Sequence, residues 1–227
     1  MGKMLMDIEI VSSFEKTLFD PSLGDAISEL AEIGIDSMME SELVKSVPVV
    51  GIVIGATKTV VNIRDRYFLR QTGIFINSFN NGTINDDVLE KHREKIASDS
   101  AWAEEELSRV IILIDRTLES YKAKMLGNAY RSYVMEEITW ADFCELSAVI
   151  DKLFVEDIPL LRDISNGEVK ETTPETIHKV ERLNSLGLLI AATITMVGAS
   201  AAKQVKLSIL GELLIRHCYE NSLNNGV

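Results

Sequence analysis

Cysteine is scarce in this chain: Cys144 and Cys218 are the only two, far apart and each without a neighbouring cysteine. That count does not make a disulfide framework, and the pair reads as reduced thiols in a cytoplasmic setting. Positive charge is also short, with 23 Lys and Arg against 35 Asp and Glu, a net charge of −12. Such a balance opposes phosphate backbones and anionic lipid headgroups unless a local patch reverses it. No Gly-x-Ser-x-Gly elbow occurs. None of the three histidines, His92, His178 and His217, has a partner at metal-ligand spacing such as His-x-x-x-His or Cys-x-x-Cys. His217 adjoins Cys218, but neighbours on a helix point about 100° apart, which suits a catalytic pair poorly. The opening MGKMLMDIEI lacks a sustained apolar core and a small-residue cleavage site, so no signal peptide is expected. No catalytic residue, cofactor or metal is assigned, and the chain is not read as an enzyme.

What is present is helical periodicity. A chain of 227 residues is long enough to bury a real core. Leu107, Ile111, Ile114, Leu118, Tyr121, Met125 and Ala129 recur at steps of four and three, which places them on one face of a long central helix. Phe143, Leu146, Ile150 and Leu153 repeat the pattern after a turn at Glu136–Thr139, with Thr139 as N-cap and an end before Pro159. The two stripes are expected to pack on each other as an antiparallel pair. Glu104, Glu105 and Glu106 fall in the first turns of the central helix, where they complement its dipole. They are not read as a metal site, because no histidine stands near them in sequence.

Residues 1–20 are mixed and read as a lead-in. Asp20-Pro21 is an N-cap followed by proline at the first helical position, opening a helix that turns Leu23, Ile27, Leu30 and Ile33 inward. Ser46-Val47-Pro48 opens the most apolar helix, expected to run to about Phe79. Val49, Val53, Ala56, Val60, Ile63 and Tyr67 form one stripe of it, and Val50, Ile54, Val61 and Phe68 the adjoining one. The ordinary reading is a helix inside a bundle. A membrane-active hairpin with Gly51 and Gly55 at small-xxx-small spacing is the alternative, yet the uncharged run Ser46–Thr57 is too short to span a bilayer. Within it, Gly51 to Thr59 imitates a phosphate loop, but Thr57 stands where that loop needs a glycine before the lysine. Asn80-Asn81-Gly82 is a turn, Thr83 or Asn85 caps a polar helix to Ile96, and Ser98-Asp99-Ser100 launches the central helix.

Arg64, Arg66 and Arg70 alternate with Tyr67 and Phe68. Arginine beside aromatics can grip an anionic partner or stack on bases; the ordinary alternative is a solvated helix edge paired with the acidic excess.

The tail from Ser165 to Val227 holds six basic and six acidic residues, so the whole charge deficit lies in 1–164. After a polar linker, Pro174 starts a helix carrying Ile177, Val180, Leu183 and Leu186, and Gly187 suits a left-handed C-cap. Leu188–Val197 reads as a strand, Gly198–Ala202 as a turn and Gln204–Ile209 as the returning strand, before a last helix from Leu210. Arg182-Leu183 to Leu188 and Leu207 to Leu213 resemble the closing half of winged-helix domains, where a "RLxxLGL" helix precedes a β-hairpin wing and an "LTxxGxxL" helix. Ile209 departs from the family's threonine there, which removes an N-cap. The resemblance implies a docking module, for protein or for DNA. Lys179 and Arg182 on the helix before the wing and Lys203 and Lys206 on the wing would be its contacts. A rival reading takes the uncharged stretch between Arg182 and Lys203 as a membrane-inserting helix. Strand formers Thr193, Ile194, Thr195 and Val197 oppose it.

The helix opened by Pro48, "RVIILIDRTLESYKAKMLGNAYRSY", "ITWADFCELSAVIDKLF" and the "LGL…LGELL" end together resemble bacterial and phage-borne proteins of the abortive-infection alpha family. That resemblance implies a setting, the conflict between bacteria and phages, with no catalytic motif to transfer.

The resulting expectation is a mainly α protein. Residues 1–164 would form an acidic helical bundle and 165–227 a small α+β winged-helix-like unit. The chain would be a non-enzymatic interaction or regulatory protein whose partner is another protein. A homo-oligomer is compatible with this, nucleic acid is disfavoured, and a membrane-acting effector or a winged-helix DNA-binding regulator is the alternative. The candidate partner-binding residues are Arg64, Arg66, Tyr67, Arg70, Lys179, Arg182, Lys203 and Lys206.

Overall fold

The computed structural model describes residues 2–34, 37, 38, 40–56, 62–81, 84–193 and 203–219. It is mainly helical, with a single two-stranded sheet among the described residues. The described residues group into two compact units, 1–140 and 141–227. The linker beginning at Ser165, read from sequence as the domain boundary, lies within the second.

The first unit comprises α1 (Gly2–Phe19), α2 (Gly24–Glu32), the short α3 (Glu42–Lys45), α4 (Pro48–Ala56), α5 (Ile63–Asn80), α6 (Asp86–Ser98), α7 (Ser100–Arg116) and α8 (Ser120–Val134). Its first helix, read as an indefinite lead-in, buries Phe14 and Leu18. The Asp20 carboxylate accepts from the Ser22 amide at 2.9 Å, so Pro21 opens a single 3-10 turn before α2. Asn85 and Asp99 cap α6 and α7, the latter accepting from the Trp102 amide at 3.0 Å. These caps satisfy amides that a helix start leaves without partners.

Helix α5 is the centre of this unit, packing on both α2 and α8. Phe68, Leu69, Phe75, Ile76 and Phe79 are buried. Glycines set both approaches. A Cβ on Gly73 would lie 2.8 Å from Leu30 Cγ and 3.0 Å from the Ala31 nitrogen, and one on Gly127 would overlap the Phe75 carbonyl oxygen and stand 2.9 Å from Ser78 Cβ. Hydrogen in place of methyl is what lets the three backbones come this close.

Two expectations of long helices are corrected here. The helix expected from Pro48 to Phe79 is two: α4 ends at Ala56, and Asn62 caps a new start, accepting from the Asp65 amide at 3.0 Å. Residues 57–61, including Val60, Val61 and the last three residues of the loop-like Gly51–Thr59 stretch, lie outside the described residues. The central helix also breaks, between Arg116 and Ser120. Thr117 takes an extended conformation, which ends the helix, and its hydroxyl donates to the Leu113 carbonyl at 2.8 Å. Leu118 therefore leaves the apolar stripe and is 72 % exposed. The stripe on α8 packs on α5, and the segment expected as its partner begins the second unit.

The second unit contains α9 (Trp140–Lys152), α10 (Ile158–Ser165), α11 (Ile177–Ser185), β1 (Leu189–Thr193), β2 (Lys203–Leu207) and α12 (Ile209–Leu214). Helix α9 buries Phe143, Leu146 and Ile150 as its spacing requires, and Leu153 just beyond its end is buried too. Helix α9 ends at Lys152, before Pro159 as expected, and Pro159 sits at the second position of the next helix, where its missing N–H costs nothing. The strands pair antiparallel with Leu189 opposite Leu207 and Ala191 opposite Val205. The Val205 amide donates to the Lys170 carbonyl at 2.9 Å, bringing the linker onto the other edge of β2. Gly187 has φ +75°, the left-handed conformation expected of it. The N-cap thought lost at Ile209 is supplied one residue earlier, by Ser208 accepting from the Gly211 amide at 3.0 Å. The inserting-helix reading fails on β1, since residues 189–193 are strand. Residues 194–202 lie outside the described residues, and no described helix is long and apolar enough to cross a membrane.

Candidate functional site

Four of the sequence-derived residues come together at the start of α5. Counting around that helix, Ile63, Arg66, Tyr67 and Arg70 share its outer face at i, i+3, i+4 and i+7. The Arg64 guanidinium reaches the last turn of α7, where its Nε donates to Asp115 Oδ1 at 3.3 Å and its Nη2 to Oδ2. The Gln71 side chain donates to the Leu118 carbonyl at 2.8 Å, fixing the chain just where Leu118 projects into solvent. Ile63 is 71 % exposed and Ile112, one turn before Asp115 on α7, is 54 % exposed; Tyr67 is more than a third exposed. These two links join the stretches of α5 and α7 that carry the exposed apolar residues Ile63, Tyr67, Ile112 and Leu118, here called the α5–α7 apex. Charged residues of both signs lie on the same stretches: Arg64, Arg66, Arg70 and Arg116, with Asp65, Asp115 and Glu119. The Nε of Arg70 is buried without a hydrogen-bond partner among the described residues.

The four residues of the second unit are not one surface. Arg182 forms a two-point ion pair with Asp157, at 2.8 and 2.7 Å, and lies over the Phe154 ring at 4.7 Å. Lys179 donates to the Glu156 carbonyl at 3.2 Å and stands 4.0 Å from the same Asp157. Asp157 is buried, so these cations hold α11 to the turn before α10 and have a structural use. Lys206 is exposed on the hairpin face it shares with Ile190. Lys203 pairs with Thr193 through the backbone, and its side chain is outside the described part.

Sequence reading missed the most polar part of the interior. Glu106 is 2 % exposed. Its Oε1 accepts from the Tyr130 hydroxyl at 2.6 Å and lies 3.1 Å from His92 Nε2, while its Oε2 accepts from the Tyr133 hydroxyl at 2.7 Å. Three helices, α6, α7 and α8, thus meet on one carboxylate. The His92 ring stands edge-on to Trp102, Tyr130 and Tyr133, and Tyr133 lies 5.0 Å from Trp140 between centroids. Burial, reinforced by the adjacent carboxylate and the bond to it, holds the Tyr130 hydroxyl well above its ordinary pKa. Tyr130 therefore remains a donor to Glu106 through the neutral range. The expectation that no histidine stands near Glu104–Glu106 is corrected: His92, fourteen residues earlier, folds onto Glu106. The signal was present, because Ala103, Glu106, Leu107, Val110 and Ile114 share one helical face, and a glutamate on a core stripe calls for buried donors.

This cluster is closed and fully engaged, with each carboxylate oxygen taken up by donors. Among the described residues no group of three or more His, Cys, Asp and Glu side chains is arranged to hold a metal ion. His217 and Cys218 are both buried. Burial pushes the Cys218 thiol far above its usual range, opposite to what a nucleophilic cysteine needs.

Comparison with protein-family models, curated proteins and solved structures finds no match to this chain.

Proposed function

We propose that this chain is a non-enzymatic recognition or regulatory protein that docks another protein through the α5–α7 apex. The single observation that carries this reading is the exposure of Ile63, Tyr67, Ile112 and Leu118 on the linked stretches of α5 and α7. Scattered exposed apolar side chains are ordinary. Four gathered where two helices end, with a polar rim, have the make-up of a contact surface. Arginine and tyrosine are also the residue types that carry most of the binding energy in protein interfaces.

The second unit supports a docking role rather than DNA reading. The order α11, hairpin, α12, with Gly187 at the helix end and Ser208 at the next start, is compatible with a winged-helix-like module. Its cations Lys179 and Arg182 are committed to Asp157 and so are poorly placed to contact phosphates. The setting we propose is the conflict between bacteria and phages, for which the support is the resemblance of the chain's segments to the abortive-infection alpha family.

The test is site-directed photo-crosslinking inside bacteria expressing the chain. A photoreactive amino acid at position 63 or 118 is expected to give discrete adducts with another protein, and at the exposed position 145 of α9 it is expected to give none. The double variant Ile63→Glu with Leu118→Glu should keep its helical circular dichroism. It should also lose any change in phage plating that the wild-type chain confers. Absence of adducts at both apex positions, with the variant behaving as wild type, would refute the reading.

A further inference from the structure

His92 is enclosed by side chains that take no part in the apex. Around its imidazole stand the rings of Phe19 at the end of α1, 6.2 Å away between centroids, Trp102 of α7 at 5.8 Å, and Tyr130 and Tyr133 of α8 at 6.4 and 5.7 Å. Its Nε2 faces Glu106 Oε1 at 3.1 Å. Aromatic walls with a carboxylate among them make a cage suited to a flat N–H donor. The helix that brings the imidazole there is otherwise lightly held. Among its described residues only Ile96 is buried, Val88 and Leu89 are half-buried, and Lys95 lies over the Trp102 ring at 3.7 Å. Two recesses, of about 440 and 300 Å³, run between α1 and α6. Asp99 is the joint with α7: its amide donates to the Lys95 carbonyl at 3.1 Å and its carboxylate accepts from the Trp102 amide at 3.0 Å.

We propose that α6 is a hinged lid, and that His92 fills from within the chain a cage able to receive an imidazole N–H donor from another molecule. A helix with so few buried apolar contacts opens at lower cost than the core around it. Opening about Asp99 leaves Glu106 its bonds from Tyr130 and Tyr133, so α7 and α8 stay joined and the cage keeps its walls. A histidine presented by a partner then meets the rings and the carboxylate that His92 has left. The two imidazoles compete for one site, which makes α6 an autoinhibitory contact. Its place on the same chain gives His92 the advantage of an intramolecular ligand, and the closed lid is the resting state.

Native-state hydrogen exchange on the full chain, read by mass spectrometry in low urea, tests this with wild type, His92→Ala and free imidazole as the probe. In wild type, the amides of residues 89–97 are expected to exchange through an opening that α5 and α8 do not share. His92→Ala loses a hydrogen bond to a charged group, and α6 exchange should quicken relative to α5 by about ten- to a hundredfold. Imidazole should act with opposite sign on the two proteins. In wild type it takes the cage from His92 and speeds α6 exchange severalfold, whereas in His92→Ala it fills the vacated cage and slows α6 exchange saturably. Furan, a ring of the same size without an N–H, should do neither. Exchange of α6 only in step with α5 and α8 in wild type overturns the lid. Imidazole moving both proteins the same way, or furan matching imidazole, overturns the cage as a site for an N–H donor. Should His92→Ala not fold, the wild-type measurements decide alone: a separate α6 opening that imidazole increases and furan does not supports the proposal, and the lack of either effect overturns it.

Discussion

Replacing Glu106 tests whether the buried cluster holds three helices together. The carboxylate accepts from Tyr130 at 2.6 Å and Tyr133 at 2.7 Å, with His92 Nε2 at 3.1 Å. In Glu106→Ala the fully buried Tyr130 hydroxyl and the nearly buried His92 ring lose their acceptor. Stranding one buried donor costs about 1–3 kcal/mol, and bonds to a charged group lie at the upper end of the range for hydrogen bonds. Because the three bonds share one acceptor they do not add, and about 3–5 kcal/mol is the expected total, typical of breaking a buried charged contact. Glu106→Gln keeps the shape and one carbonyl oxygen. A hydroxyl can rotate to accept from the new NH2, so about 1–2 kcal/mol is expected. Urea unfolding followed by circular dichroism and tyrosine fluorescence measures both, and for a chain of this size each kcal/mol lowers Tm by about 2–4 °C. The cycle of Glu106→Gln and Tyr130→Phe should give a coupling of about 0.5–3 kcal/mol. If Glu106→Ala costs less than about 1 kcal/mol, or the cycle shows no coupling, the carboxylate is not what α6, α7 and α8 share.

Other perturbations act elsewhere in the same unit. Gly127→Ala would drive a methyl into the Phe75 carbonyl oxygen, and overpacking against backbone should cost about 2–3 kcal/mol or more by urea midpoint; a neutral result would mean that α5 and α8 are further apart than described. Asn62→Ala removes the cap that begins α5 and should cost about 1 kcal/mol, while Asn62→Asp should be nearly silent in the same measurement. The alkaline limb of stability should depend on Tyr130, whose hydroxyl pKa is raised on folding. Above about pH 10 the unfolded chain gives up this proton while the folded chain keeps it, so stability falls as pH rises. Tyr130→Phe is expected to flatten that fall in a pH series of thermal melts, and an unchanged slope would count against burial as the cause.

Much of the fold was legible because its start and stop signals are local. Asp20, Asn85 and Asp99 each cap from their own side chain, Gly187 takes the conformation that L side chains resist, and alternation in 204–207 marks a strand whichever surface it meets. The breaks in long helices were not legible, since Asn62 and Thr117 interrupt apolar patterns that continue in register on both sides. An unbroken stripe looks the same whether or not the backbone follows it. Hence Ile63 and Leu118, assigned inward by periodicity, stand in solvent and supply the apex. The Glu106 cluster depends on residues 14 to 27 positions apart in three helices, a closure that no spacing rule within one helix can announce. Arg182 and Lys179 were read as free contacts for a similar reason. Their partner Asp157 is over twenty residues away and reaches them only after α10 and α11 fold back.

The two hydrogen-only contacts of α5 also limit how its gene can change in length. Removing or adding one codon between Gly73 and Asn80 would turn everything after it by about 100° about the helix axis. The surface that receives Gly127 would then carry a different side chain, and neither neighbour could slide to recover the fit. Among natural or laboratory variants, insertions and deletions should therefore collect at the joints before Ile63 and after Asn80, leaving the rod between them constant in length.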